Sequence, residues 1–134
     1  MQTWIFQATP NRYNVDGALR VLEGPIAWAK NQHANDITAG DSIYIWRAAG
    51  SDGLTAGILA RARVGDEADL ERCVDDTEFQ VEAIDRSTTR QAALIDIEPL
   101  PAGRCIDKDA LREDPRTERL TILKIANMTN FPVE

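Results

Sequence analysis

The chain has 134 residues, of which 43% are hydrophobic and 28% charged, and it carries a net charge of −7. That length and balance describe one globular domain, residues 1–134, with a single core. No apolar run approaches the roughly eighteen residues that cross a bilayer, which excludes a membrane partner through a spanning helix.

The charge is uneven. The segment "GDEADLERCVDDTEFQVE", Gly65 to Glu82, holds eight of the 22 acidic residues and one of the 15 basic ones, so the rest of the chain is neutral. It reads as a solvated acidic loop, and a local basic face elsewhere stays compatible with the total. The opening "MQTWIFQATP" has no basic segment followed by an apolar one and a cleavage site, so the expected compartment is the cytoplasm. Cys73 and Cys105 match no zinc-ligand spacing, and in that compartment they are expected to be reduced thiols.

In chain order, "TWIFQA" reads as a strand ending before Pro10. A short helix follows, with Asp16 as its cap, Ala18, Leu19 and Leu22 as its apolar stripe, and Gly24-Pro25 as its stop. A second extended piece begins near Trp28. Ser42 to Trp46 alternates, with Ile43 and Ile45 on one face and Tyr44 and Trp46 on the other. "GILARARV" alternates too, which predicts Ile58, Ala60, Ala62 and Val64 inward and Leu59, Arg61 and Arg63 outward. The two runs make a hairpin across a glycine-bearing loop.

"FQVEAIDR" and "RQAALIDIEP" suggest two more strands joined near Ser87 and Thr88, the second burying Ala93, Ile95 and Ile97. A helix at "DKDALRED" is capped by Asp107 or Asp109 and ends before Pro115. "RLTILKIA" resumes the strand pattern. Five or six short strands with two or three small helices predict an α+β fold, a curved, barrel-like sheet flanked by short helices.

No catalytic motif is present: there is no phosphate-binding loop, no metalloprotease motif and no nucleophile elbow. The single histidine, His33, leaves no metal site and no triad to build, so a catalyst, a cofactor and a metal are not expected. Binding of a flat, partly polar ligand fits better. Asn11, Arg12, Tyr13 and Asn14 offer donors, acceptors and a ring after the first strand, and Trp28 and Trp46 stand near strand ends. Thr129, Asn130 and Phe131 lie near the C-terminus. Aromatic rings sandwich a base while amide side chains read its edge. Each ring has a plain alternative as core, Trp4 most of all.

The order of "WIFQATPNRYNVDGAL", the Trp28 strand, "ITAGDSIYIWRAAGSDGLTAGILARARV" and "TNFPV" resembles the EVE domains of the PUA-like superfamily. That resemblance implies a PUA-like, twisted, barrel-like sheet and a non-catalytic domain that draws a modified base out of nucleic acid by base flipping. It implies 5-modified cytosine such as 5-methylcytosine in DNA as the ligand, with modified RNA as the alternative. It also implies an origin in a modification-dependent restriction system, with the domain attached to a downstream nuclease or ATPase domain and excised here from that larger protein. A third reading is an interaction module of such an assembly. The implied pocket is walled by Trp28 and Trp46 and completed by Asn11, Tyr13, Arg47, Thr129, Asn130 and Phe131.

Overall fold

The computed structural model describes residues 1–50, 55–83, 86–87, 89–101, 105–124 and 128–133. Seven strands are named in chain order: β1 (Thr3–Ala8), β2 (Ile26–Ala29), β3 (Ser42–Arg47), β4 (Gly57–Val64), β5 (Gln91–Pro99), β6 (Ile106–Asp107) and β7 (Asn130–Val133). They form one sheet in the order β2-β5-β4-β3-β1-β7, with β6 paired to the end of β4. β1 and β3 run parallel and the other neighbours antiparallel, so the sheet is mixed. The helices α1 (Val15–Val21), α2 (Glu67–Glu71) and α3 (Lys108–Glu113) are short and lie outside it. This is the α+β, barrel-like sheet that the strand spacing predicts.

Both faces of the sheet are covered near its centre. Trp4, Phe6, Trp28, Ile43, Ile45 and Leu94 fill the concave core together with Tyr13, Val15 and Phe79. On the outer face Ile5, Trp46, Ile58 and Phe131 pack beneath Leu111 of α3 and beside Ile122 and Leu123. β1 therefore reads as a nearly continuous apolar run, as a strand buried on both faces must.

Two irregularities shift the faces from the predicted phase. Ile45 pairs with Ala60 but Trp46 pairs with Ile58, which leaves Leu59 as an extra residue in β4. Leu59 is consequently turned into the concave core and Ile58 outward onto Trp46, the reverse of simple alternation. In β5 the pairing jumps from Ile95 to Glu98, and Asp96 takes φ of 50°. Ala92 and Leu94 face the core before this step and Ile97 packs against it after, whereas Ile95 is half-buried. Ala93 is buried as expected, but Ile95 is not, and Leu94, outside the expected set, is fully buried.

Helix α1 is capped by Asn14, whose Oδ1 accepts the Gly17 N–H at 3.0 Å, and not by Asp16. Asp16 sits in the first turn and pairs with Arg47. At α3 the expected Asp107 is the cap, accepting from Ala110 N–H at 2.8 Å. Among the described residues of "FQVEAIDR" no strand forms: Thr77–Phe79 is a 3-10 turn, and Gln80 makes a single bridge to Tyr13. Its Ile84 and Asp85, like Thr88 of the predicted turn, lie outside the described residues. The described part of "RLTILKIA", Arg119 to Lys124, is likewise no strand, because the 3-10 turn Thr121–Leu123 lays the adjacent Ile122 and Leu123 together on the outer core. Extended backbone would point them to opposite sides. Ile125 and Ala126 lie outside the described residues.

The acidic segment is more than a loop. Asp66 and Asp69 form a reciprocal capping box at α2, and Asp76 is buried with 2% exposure. Cys73 and Cys105 are free thiols, and burial pushes both up from their ordinary range. No helix among the described residues is long and apolar enough to cross a membrane.

Candidate functional site

The barrel is not closed by a continuous ladder. β2 is one edge and β7 the other, and side chains stitch the gap between them. Asn130 Nδ2 donates to the Ala29 carbonyl at 3.0 Å, while its Oδ1 accepts the N–H groups of Asn31 and Gln32 at 2.8 and 3.1 Å. Gln32 Oε1 reciprocates by accepting Thr129 N–H and Asn130 N–H at 2.9 and 3.0 Å. A side-chain closure of this kind leaves room that a strand would fill. Beside it lies a cavity of about 220 Å³.

Its walls come from four segments. Gln7 and Ala8 end β1, and Thr9, Arg12 and Tyr13 follow in the next loop; Ala27, Trp28 and Ala29 lie on β2; Asn31, Arg86 and Gln91 and Thr129 complete it. The two rings are fixed against each other. Tyr13 meets Trp28 edge-on, with centroids 6.1 Å apart and planes at 69°, and Phe6 backs Trp28 at 6.4 Å.

Tyr13 is held by a buried polar hub. Its hydroxyl donates to Asp76 at 2.8 Å, Gln80 Nε2 donates to the same carboxylate at 3.0 Å, and Arg86 grips both oxygens at 2.9 and 2.8 Å. Burial pushes the Asp76 carboxyl up, but bonds from Arg86, Tyr13 and Gln80 outweigh it and hold it below the usual carboxylate range. For Tyr13, burial and then the bond to Asp76 raise the phenol, which stays neutral. The Arg86 guanidinium, hydrogen-bonded to Asp76, is held charged. The ring of Tyr13 is available to the cavity, whereas its hydroxyl is already used.

Gln91 brings a different kind of group. Its Nε2 donates to the Thr89 carbonyl at 3.1 Å, which fixes the amide orientation, since the reversed amide would set two oxygens together. Its Oε1 is buried and has no donor among the described residues. An acceptor left this way costs about 1–3 kcal/mol until a donor reaches it.

The structure brings Tyr13, Trp28 and Thr129 together in one wall. Asn11 is exposed on the same loop but does not line the cavity. Four expected pocket residues lie elsewhere. Trp46 is 1% exposed in the outer core, on the far side of the sheet, so its ring has no free face for a base. Phe131 is buried in the same cluster, opposite Ile5 on the β1–β7 ladder. Arg47 is buried against Asp16 at 2.8 Å and the Thr55 carbonyl at 2.7 Å. Asn130 is fully buried and spends its amide on closing the barrel. The reading missed Gln7, Asn31, Arg86 and Gln91, isolated polar residues on strands or loops whose convergence no spacing announces.

Larger grooves lie over Leu19 to Pro99 and over Tyr44, Arg61 and Arg63. In the second the cations are neutralised across the ladder, Arg61 by Glu98 at 2.8 Å and Arg63 by Asp96 at 3.3 Å. Among the described residues no group of three His, Cys, Asp or Glu side chains converges to hold a metal ion.

The same fold occurs in solved structures. A hypothetical protein from Leishmania major superposes with a TM-score of 0.64 at 12% identity, over 100% of this chain and 87% of that one. A Pseudomonas putida protein gives 0.60 at 14% identity, over 98% and 91%. The human THYN1 protein, solved in complex with DNA containing 5-methylcytosine, gives 0.52 at 8% identity, over 100% and 91%. At these identities the likeness is one of fold. No curated protein sequence matches the chain. The sequence profile of the EVE domain, however, matches residues 2–134, and the chain belongs to the EVE domain family.

Proposed function

We propose that this domain binds nucleic acid and reads a modified base, 5-modified cytosine in DNA, by admitting the extruded base to the cavity between β2 and the β1–β7 edge. The observation that carries the reading is a cavity walled by the fixed Tyr13–Trp28 pair and by Gln91, a residue whose buried Oε1 has no donor among the described residues. An exocyclic amine, as on cytosine, supplies the missing donor; thymine and uracil present a carbonyl there and do not. Ring contact offsets the few kcal/mol that unstacking costs. The human THYN1 protein, which shares this fold, is solved in complex with DNA containing 5-methylcytosine, and that supports the same class of ligand here. The role is binding, not catalysis.

The test is an anisotropy panel of otherwise identical DNA and RNA oligonucleotides carrying cytosine, 5-methylcytosine, 5-hydroxymethylcytosine or N6-methyladenine. Tighter binding of a 5-modified cytosine DNA is expected; equal binding of all members rules the reading out, and preference for an RNA member moves it to RNA. Gln91→Leu adds a residue-level check. It is expected to weaken the preferred oligonucleotide about tenfold, the worth of one buried hydrogen bond, while leaving the melting temperature unchanged or higher. Undiminished binding by that variant removes Gln91 from the readout.

A further inference from the structure

Next to the cavity the sheet sets two cations against each other. β2 and β5 pair with Ala29 opposite Gln91, and the next rung is the bond from Lys30 N–H to the Arg90 carbonyl at 2.9 Å. Lys30 and Arg90 therefore stand opposite each other just past the paired ends of β2 and β5, where like charges destabilise the pairing. Among the described residues Arg12, Arg61, Arg63 and Arg86 each face a carboxylate instead. Lys30 faces none among the described residues, and Arg90 NH1 donates only to the neutral Asn35 amide at 2.6 Å. Asp36, in the loop that follows β2, is turned toward His33. Burial, then the Arg90 charge, push the Lys30 ammonium toward its neutral form.

The pair's position is informative. Ala29 and Asn31, on either side of Lys30, line the cavity, and so does Gln91, next to Arg90. An anion seated between the two cations converts their repulsion into attraction, and a nucleic-acid strand with a base in the cavity carries phosphates on both sides of that base. The diester is singly charged and acceptor-only, which suits an ammonium and a guanidinium.

We propose that Lys30 and Arg90 form a phosphate clamp that holds the backbone of the strand whose base occupies the cavity. The clamp rests on the base-reading function above and adds a sequence-independent contact to it. Arg61 and Arg63, the cations most visible in the sequence, are instead paired with Glu98 and Asp96 and do not line the cavity.

The experiment compares the parent protein with Lys30→Gln, Arg90→Gln and Lys30→Arg, measuring anisotropy on plain and 5-methylcytosine duplexes from about 50 to 200 mM salt, with a thermal melt of each protein. Each glutamine variant is expected to bind both duplexes several-fold more weakly by the same factor. The slope of log affinity against log salt flattens by about one per residue, and the preference for the modified base is kept. Lys30→Gln melts no lower than the parent, since a like-charge pair is relieved, and Lys30→Arg keeps the parent's slope. A parent that prefers the modified duplex while both glutamine variants match its slope and affinity overturns the clamp alone, as does a loss of preference without a change in slope. A parent that binds neither duplex overturns both the clamp and the base-reading function.

Discussion

Asp76→Ala is expected to destabilise the protein by about 3 kcal/mol, toward the lower end of what removing one member of a buried ion pair costs, because Arg86 keeps part of its guanidinium in water. The carboxylate is 2% exposed and receives the Tyr13 hydroxyl, the Gln80 amide and both terminal nitrogens of Arg86. Its loss leaves a partly buried cation and a buried hydroxyl without their acceptor. Urea unfolding measures the difference, and its pH dependence carries a sign. The folded carboxyl lies below its unfolded value, so its stabilisation is present above the ordinary aspartate pKa of about 3.9 and disappears as pH falls through the lower folded value. The gap between parent and variant should therefore be widest near neutrality and close below about pH 4. A gap that is constant across that range would show that the carboxylate's charge contributes nothing. Because the same hub fixes the Tyr13 ring, folded Asp76→Ala protein is also expected to lose affinity for the preferred oligonucleotide.

Trp46→Ala is expected to cost about 3–5 kcal/mol in the same assay, the usual price of removing a large core ring. Trp46 is 1% exposed between Ile5, Ile58 and Phe131 and beneath α3. The variant that remains folded keeps its preference among bases, since the ring lies across the sheet from the cavity. Loss of the preference with stability intact would return Trp46 to the pocket.

These two residues mark the limits of what could be read in advance. Asp76 sits in an acidic run that composition assigns to solvent, and nothing local distinguishes it from Asp75, which is exposed. Its burial depends on Arg86 and Tyr13, both distant in the chain, arriving at the same point. Trp46 was placed on the correct face by alternation, opposite Ile43 and Ile45. Alternation reports which face of a strand a side chain takes, not what covers that face, and α3 and the turn Thr121–Leu123 cover this one. The same reason undid the strand pattern read at Phe79 and at Ile122 and Leu123: these residues are buried, but by turns packed on the sheet.

The sequence by itself determined the strands with long alternating or doubly apolar patterns, the helix at "DKDALRED" with its cap narrowed to Asp107 or Asp109, and the order of segments that carries the family resemblance. These rest on local propensity, capping chemistry and period, which act over a few residues. The tertiary structure decided the rest. It set the phase of β4 and β5 through two bulges, closed the barrel with the Asn130 amide in place of a strand, and brought Tyr13, Trp28, Gln91 and Thr129 to one cavity. It also set Lys30 opposite Arg90. Each of these depends on strand register and long-range pairing, and the energies that select a register are sums over the whole sheet, invisible in any one segment.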